Sequence, residues 1–159
     1  MPKFSVILPA AGRSSRFADK HYKKPFALLD NRAVWMHSAE RFINRDDVIQ
    51  TMLVISPDDR EYFDFKYAGN AAILGIEVVH GGAERSDSVA KALERVKPEA
   101  DFVCIHDAAR PCIANEWIDR VFHAAEQSDA AILAIPVSGT LKHVKDMKIT
   151  ETVSRSGLW

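Results

Sequence analysis

The chain has 159 residues, enough for one domain, and its 47% hydrophobic and 27% charged composition is that of a globular protein, not a disordered one. A net charge of −1 excludes general electrostatic affinity for nucleic acid or membranes, so any anion site must come from local clusters of Lys and Arg. Cys104 and Cys112 form no CxxC pair, and the six histidines, at 21, 37, 80, 106, 123 and 143, show no zinc-site spacing. Two reduced thiols in a cytoplasmic protein without a structural metal are expected. The N-terminus offers one Lys before an apolar run too short for a signal peptide or a membrane span.

In chain order, residues 4–8 (FSVIL), 52–56 (MLVIS), 76–80 (IEVVH), 102–106 (FVCIH) and 130–135 (AAILAI) read as buried strands. They are short, rich in Val and Ile, and hardly alternate. Helical patterns lie between them. Residues 33–44 place Trp35, Ser38, Ala39 and Phe42 on one face, and residues 58–67 follow Pro57 with acids in the first turn. Residues 87–96 carry Val89, Leu93 and Val96 at helical spacing, stopped by Pro98. Asn115 is a candidate cap for a helix with an apolar stripe of Trp117, Ile118, Val121, Phe122 and Ala125. This alternation predicts an α/β domain with a mainly parallel sheet. Ligands of such sheets bind beyond the carboxyl ends of the strands, where residues 9–24, 81–88 and 106–111 gather unusual chemistry.

From Pro136 the pattern turns polar. Residues 137–155 read as a hairpin with Asp146 and Met147 near its tip, either an arm extending from the body or an edge hairpin of the same domain. The chain stops at Trp159 with no closing helix, which predicts a single domain over 1–159 whose C-terminal part is missing.

Residues 9–17 (PAAGRSSRF) satisfy neither the Walker loop nor the dinucleotide fingerprint, which speaks against a Rossmann dehydrogenase. Ala10, Ala11 and Gly12 nonetheless leave backbone amides uncovered for a base or phosphates. Arg13, Arg16, Lys23 and Lys24 put four cations within twelve residues, enough to neutralise a triphosphate. A solvated basic loop is the competing reading. In residues 81–89 (GGAERSDSV), Gly81 and Gly82 permit a sharp turn and close backbone approach. Ser86 or Ser88 is a candidate cap for the next helix, whose N-terminus favours an anion. In residues 106–111 (HDAARP), Asp107 offers a carboxylate for Mg²⁺ and Arg110 a guanidinium for a phosphate. An Asp107–Arg110 structural salt bridge is the alternative. His106 reads as a packed strand residue, and both cysteines as inert.

Taken together and in this order, LPAAGRSSRF, Lys24-Pro25, GGAERSDSV, HDAARP, PVSGTLK and TVSRSGLW resemble the 2-C-methyl-D-erythritol 4-phosphate cytidylyltransferase family. The resemblance spans nearly the whole chain and implies a Rossmann-like nucleotidyltransferase domain with a protruding β-arm at 137–155. It further implies direct attack of a polyol phosphate on the α-phosphorus of CTP, with Mg²⁺, in non-mevalonate isoprenoid biosynthesis. Such chemistry needs charge neutralisation and alignment more than a base. By motif, Arg16 and Lys24 would stabilise charge on the α- and β-phosphates. Pro9, Ala10, Ala11 and Gly12 would lie against the nucleotide, as would Gly82 and Ser88. Asp107 would stand near Mg²⁺ and substrate. Arg110, Thr140 and Arg155 match positions that hold the acceptor, the last two delivered across a homodimer by an exchanged arm.

The chain departs from the family pattern in places. Ser14 replaces the usual second glycine, the lysine motif reads Lys23-Lys24-Pro25, and Ala83 stands where an aspartate often reads the cytosine amino group. A later threonine and a substrate-phosphate lysine of the family lie beyond position 159. Two alternatives therefore stay open: a ribitol-5-phosphate or other sugar- or polyol-phosphate nucleotidyltransferase, and a truncated, non-catalytic nucleotide-binding form.

Overall fold

The computed structural model describes residues 1–12 and 23–159; Arg13 and Arg16 lie outside the described residues. Two compact units are present, Met1–Asn115 and Glu116–Trp159. The first opens with strand β1 (Phe4–Pro9), followed by a 3₁₀ turn at Lys24–Phe26 and the short strands β2 (Leu28–Leu29) and β3 (Arg32–Ala33). Then come helix α1 (Val34–Ile43), strand β4 (Val48–Ile55), a 3₁₀ turn at Pro57–Asp59 and helix α2 (Arg60–Ile73). Strand β5 (Glu77–His80), helix α3 (Arg85–Leu93) and strand β6 (Phe102–Ile105) complete the sheet.

The main sheet has the order β5-β4-β1-β6, all parallel, as the strand–helix alternation predicts. Central β1 explains its own composition: with a neighbour on each edge and Val6, Ile7 and Leu8 fully buried, it turns no face to solvent. Ile7 pairs with Met52 on one side and Ile105 on the other. Ile7, Met52, Val54 and Val79 form a core cluster with Ala92 of α3.

Ser5 and Gln50, two of the buried polar side chains on this sheet, satisfy each other. Ser5 Oγ donates to Gln50 Oε1 (2.9 Å), while Gln50 Nε2 donates to Glu77 Oε2 and the Arg95 carbonyl (both 2.9 Å). Lys97 N–H closes the network on Gln50 Oε1 (3.0 Å), so the group pins the chain after α3 to β4.

Helix α1 buries the face its periodicity marks, whereas α3 departs from the expectation: it ends at Leu93, which is exposed, and turns Ser88 and Ala92 inward. Trp35, Ser38, Ala39 and Phe42 of α1 are all buried. Trp35 meets Phe63 and Tyr67 of α2, and both of those meet Phe26, with ring centroids 5.8–6.2 Å apart. Helix α2 runs six residues past the predicted end at 67 and stops at Gly75, whose φ of +65° suits a residue without Cβ. The Gly75 N–H donates to the Ala72 carbonyl (3.1 Å) and the Ile76 N–H to that of Ala71 (2.9 Å), the pair of bonds that closes a Schellman terminus. The cap of α3 is Glu84, not Ser86 or Ser88: the Asp87 carboxylate accepts the Glu84 N–H (3.1 Å) in a capping box.

In the second unit, helix α4 (Asn115–Ser128) buries Ile118 and Phe122 but leaves Trp117 about half exposed. Strands β7 (Lys142–Lys145) and β8 (Lys148–Thr152) form the expected antiparallel hairpin, every residue exposed. Asp146 and Met147 make its turn with φ of +48° and +60°, the twist a two-residue hairpin loop requires. The strand predicted at 130–135 does not form. Ile132 and Ile135 are exposed there, and among the described residues no ladder partner is present to turn an apolar run into a strand. No helix among the described residues is long and apolar enough to cross a membrane.

Phe63 is fully buried among three other rings, so Phe63→Ala should lower unfolding stability by about 3–5 kcal/mol. Urea denaturation followed by circular dichroism measures it.

Candidate active site

The sheet's hydrogen-bond ladder does not end with its strands. The Ala10 N–H donates to the Val54 carbonyl (2.7 Å), and Gly81 N–H to that of Ile55 (2.8 Å). His106 N–H donates to the Ile7 carbonyl (2.9 Å), and Ala108 N–H to that of Pro9 (3.3 Å). The loops after β1, β5 and β6 are thereby fastened to the same carboxyl edge. Between them opens a cleft of about 740 Å³, within the usual range for small-ligand sites.

Pro9, Ala10, Ala11 and Gly12 line this cleft, together with Lys24, Ser88, Asp107 and Arg110. Lys24 begins a 3₁₀ turn whose next two residues, Pro25 and Phe26, are buried, so the aromatic cluster fixes where its backbone emerges. Its neighbour Lys23 is engaged elsewhere, with Nζ 2.6 Å from Asp59 Oδ2, and does not line the cleft.

The Gly-Gly turn is held by Ser88, whose buried Oγ accepts the Gly82 N–H (3.1 Å) and donates to the Glu84 carbonyl (3.0 Å). Lys91 Nζ donates to the Gly81 carbonyl (3.0 Å). A Cβ on Gly81 would fall 2.5 Å from Ser88 Oγ, and one on Gly82 2.4 Å from Asp87 Cβ. Both glycines are therefore required by close approach. Gly82, expected against the nucleotide, is not among the cleft's lining residues.

The turn after β6 is fixed from three sides. Ser38 Oγ on α1 donates to the Ala108 carbonyl (2.8 Å), Arg110 N–H to the Asp107 carbonyl (3.0 Å), and His106 Nε2–H to the Arg110 carbonyl (2.9 Å). His106 packs on the Phe42 ring at 5.3 Å. Burial lowers its pKa below the ordinary value of 6.5, outweighing the Arg110 carbonyl and the Asp107 charge, which act the other way. Burial pushes the Cys104 thiol up to about 12, which makes it unreactive.

Arg85, in the first turn of α3, is a cleft residue that motif reasoning passed over. Its Nη1 lies 2.7 Å from Asp107 Oδ1, while Arg110 Nε lies 2.8 Å from Oδ2. The Asp107–Arg110 salt bridge and the cleft position thus coexist. Among the described lining residues, Lys24, Arg85 and Arg110 face two carboxylates, Glu84 and Asp107. Thr140 and Arg155 belong to the second unit, where both are exposed and Arg155 Nη1 donates to the Ser138 carbonyl. The cleft is built from the first unit.

An open cleft with bare backbone at the carboxyl edge of a parallel sheet, and with cations in excess, defines an α/β protein suited to a phosphorylated nucleotide. The comparison with known sequences narrows this. The family model described as 2-C-methyl-D-erythritol 4-phosphate cytidylyltransferase matches residues 4–159, and the chain belongs to that family. The enzyme of that name from Rhodopirellula baltica is 43% identical over 95% of this chain and 66% of its own length. A bifunctional enzyme IspD/IspF from Rhodospirillum rubrum is 39% identical over all of this chain and 41% of its own. The chain thus spans just under two thirds of one relative and about two fifths of the other. A crystal structure of 4-diphosphocytidyl-2C-methyl-D-erythritol synthase superposes with a TM-score of 0.76 at 31% identity, over all of this chain and 71% of that one.

Two outcomes follow from this geometry. Gly82→Ala should cost about 1–3 kcal/mol, because neither backbone nor Asp87 Cβ can give way cheaply; thermal melts check it. An NMR titration should place the His106 midpoint below 6.5. As the unfolded chain then binds the proton more readily, stability should fall as pH drops through about 6.5 and level off below the native midpoint. His106→Gln should flatten that slope.

Proposed function

We propose that this protein is a cytoplasmic cytidylyltransferase that joins CTP to 2-C-methyl-D-erythritol 4-phosphate, releasing pyrophosphate and 4-diphosphocytidyl-2-C-methyl-D-erythritol. The observation that carries the reading is the convergence of Ala10–Gly12, Lys24, Ser88, Asp107 and Arg110 on one cleft in a chain of this family. The phosphate oxygen of the acceptor bonds to the α-phosphorus as the bond to the β-phosphate oxygen breaks, and the electron pair leaves with pyrophosphate. The acceptor dianion is already nucleophilic, so no general base is needed.

The chain's own groups divide the remaining work. The backbone of Ala11 and Gly12 receives the nucleotide, the expected free amide of Ala10 being taken by the Val54 carbonyl, and Lys24 stabilises charge building on the phosphates, joined by Arg16 in this reading. Gly82 acts through the turn that sets Ser88. Arg110 holds the acceptor phosphate. Thr140 and Arg155 complete the acceptor pocket from a second subunit, residues 1–159 being read as one domain with residues 137–155 as its exchanged arm. The wholly exposed hairpin, with Val144 opposite Ile149, supports that homodimer, since two strands without further cover are marginally stable.

Mg²⁺ fits the donor set on one condition. Asp107 is a single carboxylate, and no group of three or more His, Cys, Asp or Glu side chains comes together among the described residues. That suits a hard cation shared with nucleotide phosphates rather than caged by protein. When bound, Mg²⁺ would neutralise phosphate charge.

Ala83, a bare methyl in the cleft lining, favours a second reading in which UTP or another polyol phosphate is accepted. Pyrophosphate release from CTP or UTP, with each acceptor and Mg²⁺, decides between them. Release only with CTP and 2-C-methyl-D-erythritol 4-phosphate supports the first reading, and none with any pair refutes both. Arg16→Ala and Lys24→Met should each lower turnover by roughly 10²–10³ while leaving the fold intact.

A further inference from the structure

Asp107 is engaged on both carboxylate oxygens, and its two partners are not equivalent. Arg110 lies three residues further on in the same turn, so its contact travels with Asp107. Arg85 comes from a different element, the first turn of α3, and its Nη1 lies 2.7 Å from Oδ1. That oxygen is shielded from solvent, yet no hydrogen bond is aligned on it. The Arg85 contact is thus charge pairing without a directional bond, held by a side chain 59% exposed and able to swing away.

We propose that Arg85 is a positioning residue that guards the Asp107 carboxylate, keeping free divalent cations off it and yielding it when a nucleotide triphosphate enters the cleft. The inference rests on the reading of Asp107 as the metal carboxylate. A guanidinium against Oδ1 occupies the face of the oxygen a cation would need, and it repels that cation. A cation arriving alone must therefore displace Arg85 and leave it unpaired. One arriving with a triphosphate brings phosphate oxygens, which a guanidinium binds as readily as a carboxylate. Arg85 so exchanges one anion for another, and metal and nucleotide binding become linked through its side chain.

The test uses Mn²⁺ as the probe and reads paramagnetic broadening of the Ala108 and Ala109 amides, which reports weak occupancy beside Asp107 without requiring turnover. In nucleotide-free protein, Arg85→Gln should bind Mn²⁺ roughly three- to fivefold more tightly than wild type, the scale of a partly exposed ion pair. With CTP present it should lose affinity for the Mn²⁺–nucleotide complex, and Arg85→Lys should return both values toward wild type. Equal or weaker Mn²⁺ binding by Arg85→Gln, with an unchanged melting temperature, overturns the guarding role. Asp107→Asn separates the two levels. If it leaves the broadening of wild type intact, the reading of Asp107 as the metal carboxylate fails and the guard falls with it. If it removes the broadening while Arg85→Gln changes nothing, only the guard fails.

Discussion

The site depends on four backbone hydrogen bonds that carry the sheet's ladder past the ends of its strands. Those from Ala10, Gly81, His106 and Ala108 reach the carbonyls of Val54, Ile55, Ile7 and Pro9. Each binds a loop to its neighbour in the order the strands already hold. The turn bearing Lys24, the first turns of α3 bearing Ser88 and the loop bearing Asp107 and Arg110 share one edge. The parallel sheet supplies this coincidence, because parallel strands send every following loop out at the same end.

Side chains then finish what the ladder begins. Ser38 reaches from the buried face of α1 to the turn after β6, and Ser88 ties the Gly-Gly turn to the start of its own helix. Phe26 anchors Lys24 through the aromatic cluster of α1 and α2. In each case a buried side chain fixes backbone at the cleft, the two serines by hydrogen bonds and Phe26 by packing.

Much of this was legible in the residues because the signals are local. Unbroken Val and Ile runs marked β1, β4, β5 and β6, and the periodicity around Trp35, Ala39 and Phe42 marked α1. What escaped depends on partners distant in sequence or on chemistry that periodicity does not carry. Residues 130–135 have the composition of a buried strand, but a strand needs a ladder partner. The end of α2 was set by Gly75 and its two closing bonds, eight residues beyond the expected end at 67. The cap of α3 fell to Glu84 because Asp87 answers it three residues on, while Ser88 was drawn into the turn. Lys23 and Lys24 are indistinguishable as charges; only Asp59, brought close by the turn after β4, tells them apart. Arg85 escaped for the same reason, since its partner lies on another loop.

The unequal surroundings of the two thiols have a practical side. Cys104 sits in β6 with its thiol held protonated by burial, whereas Cys112 is exposed two residues past Arg110. A maleimide reagent distinguishes them without any substitution, since Cys112 is open to solvent while burial holds the Cys104 thiol protonated. Within these 159 residues Cys112 is therefore an attachment point for a fluorophore or spin label two residues from a cleft arginine, where brightness or mobility could report ligand arrival.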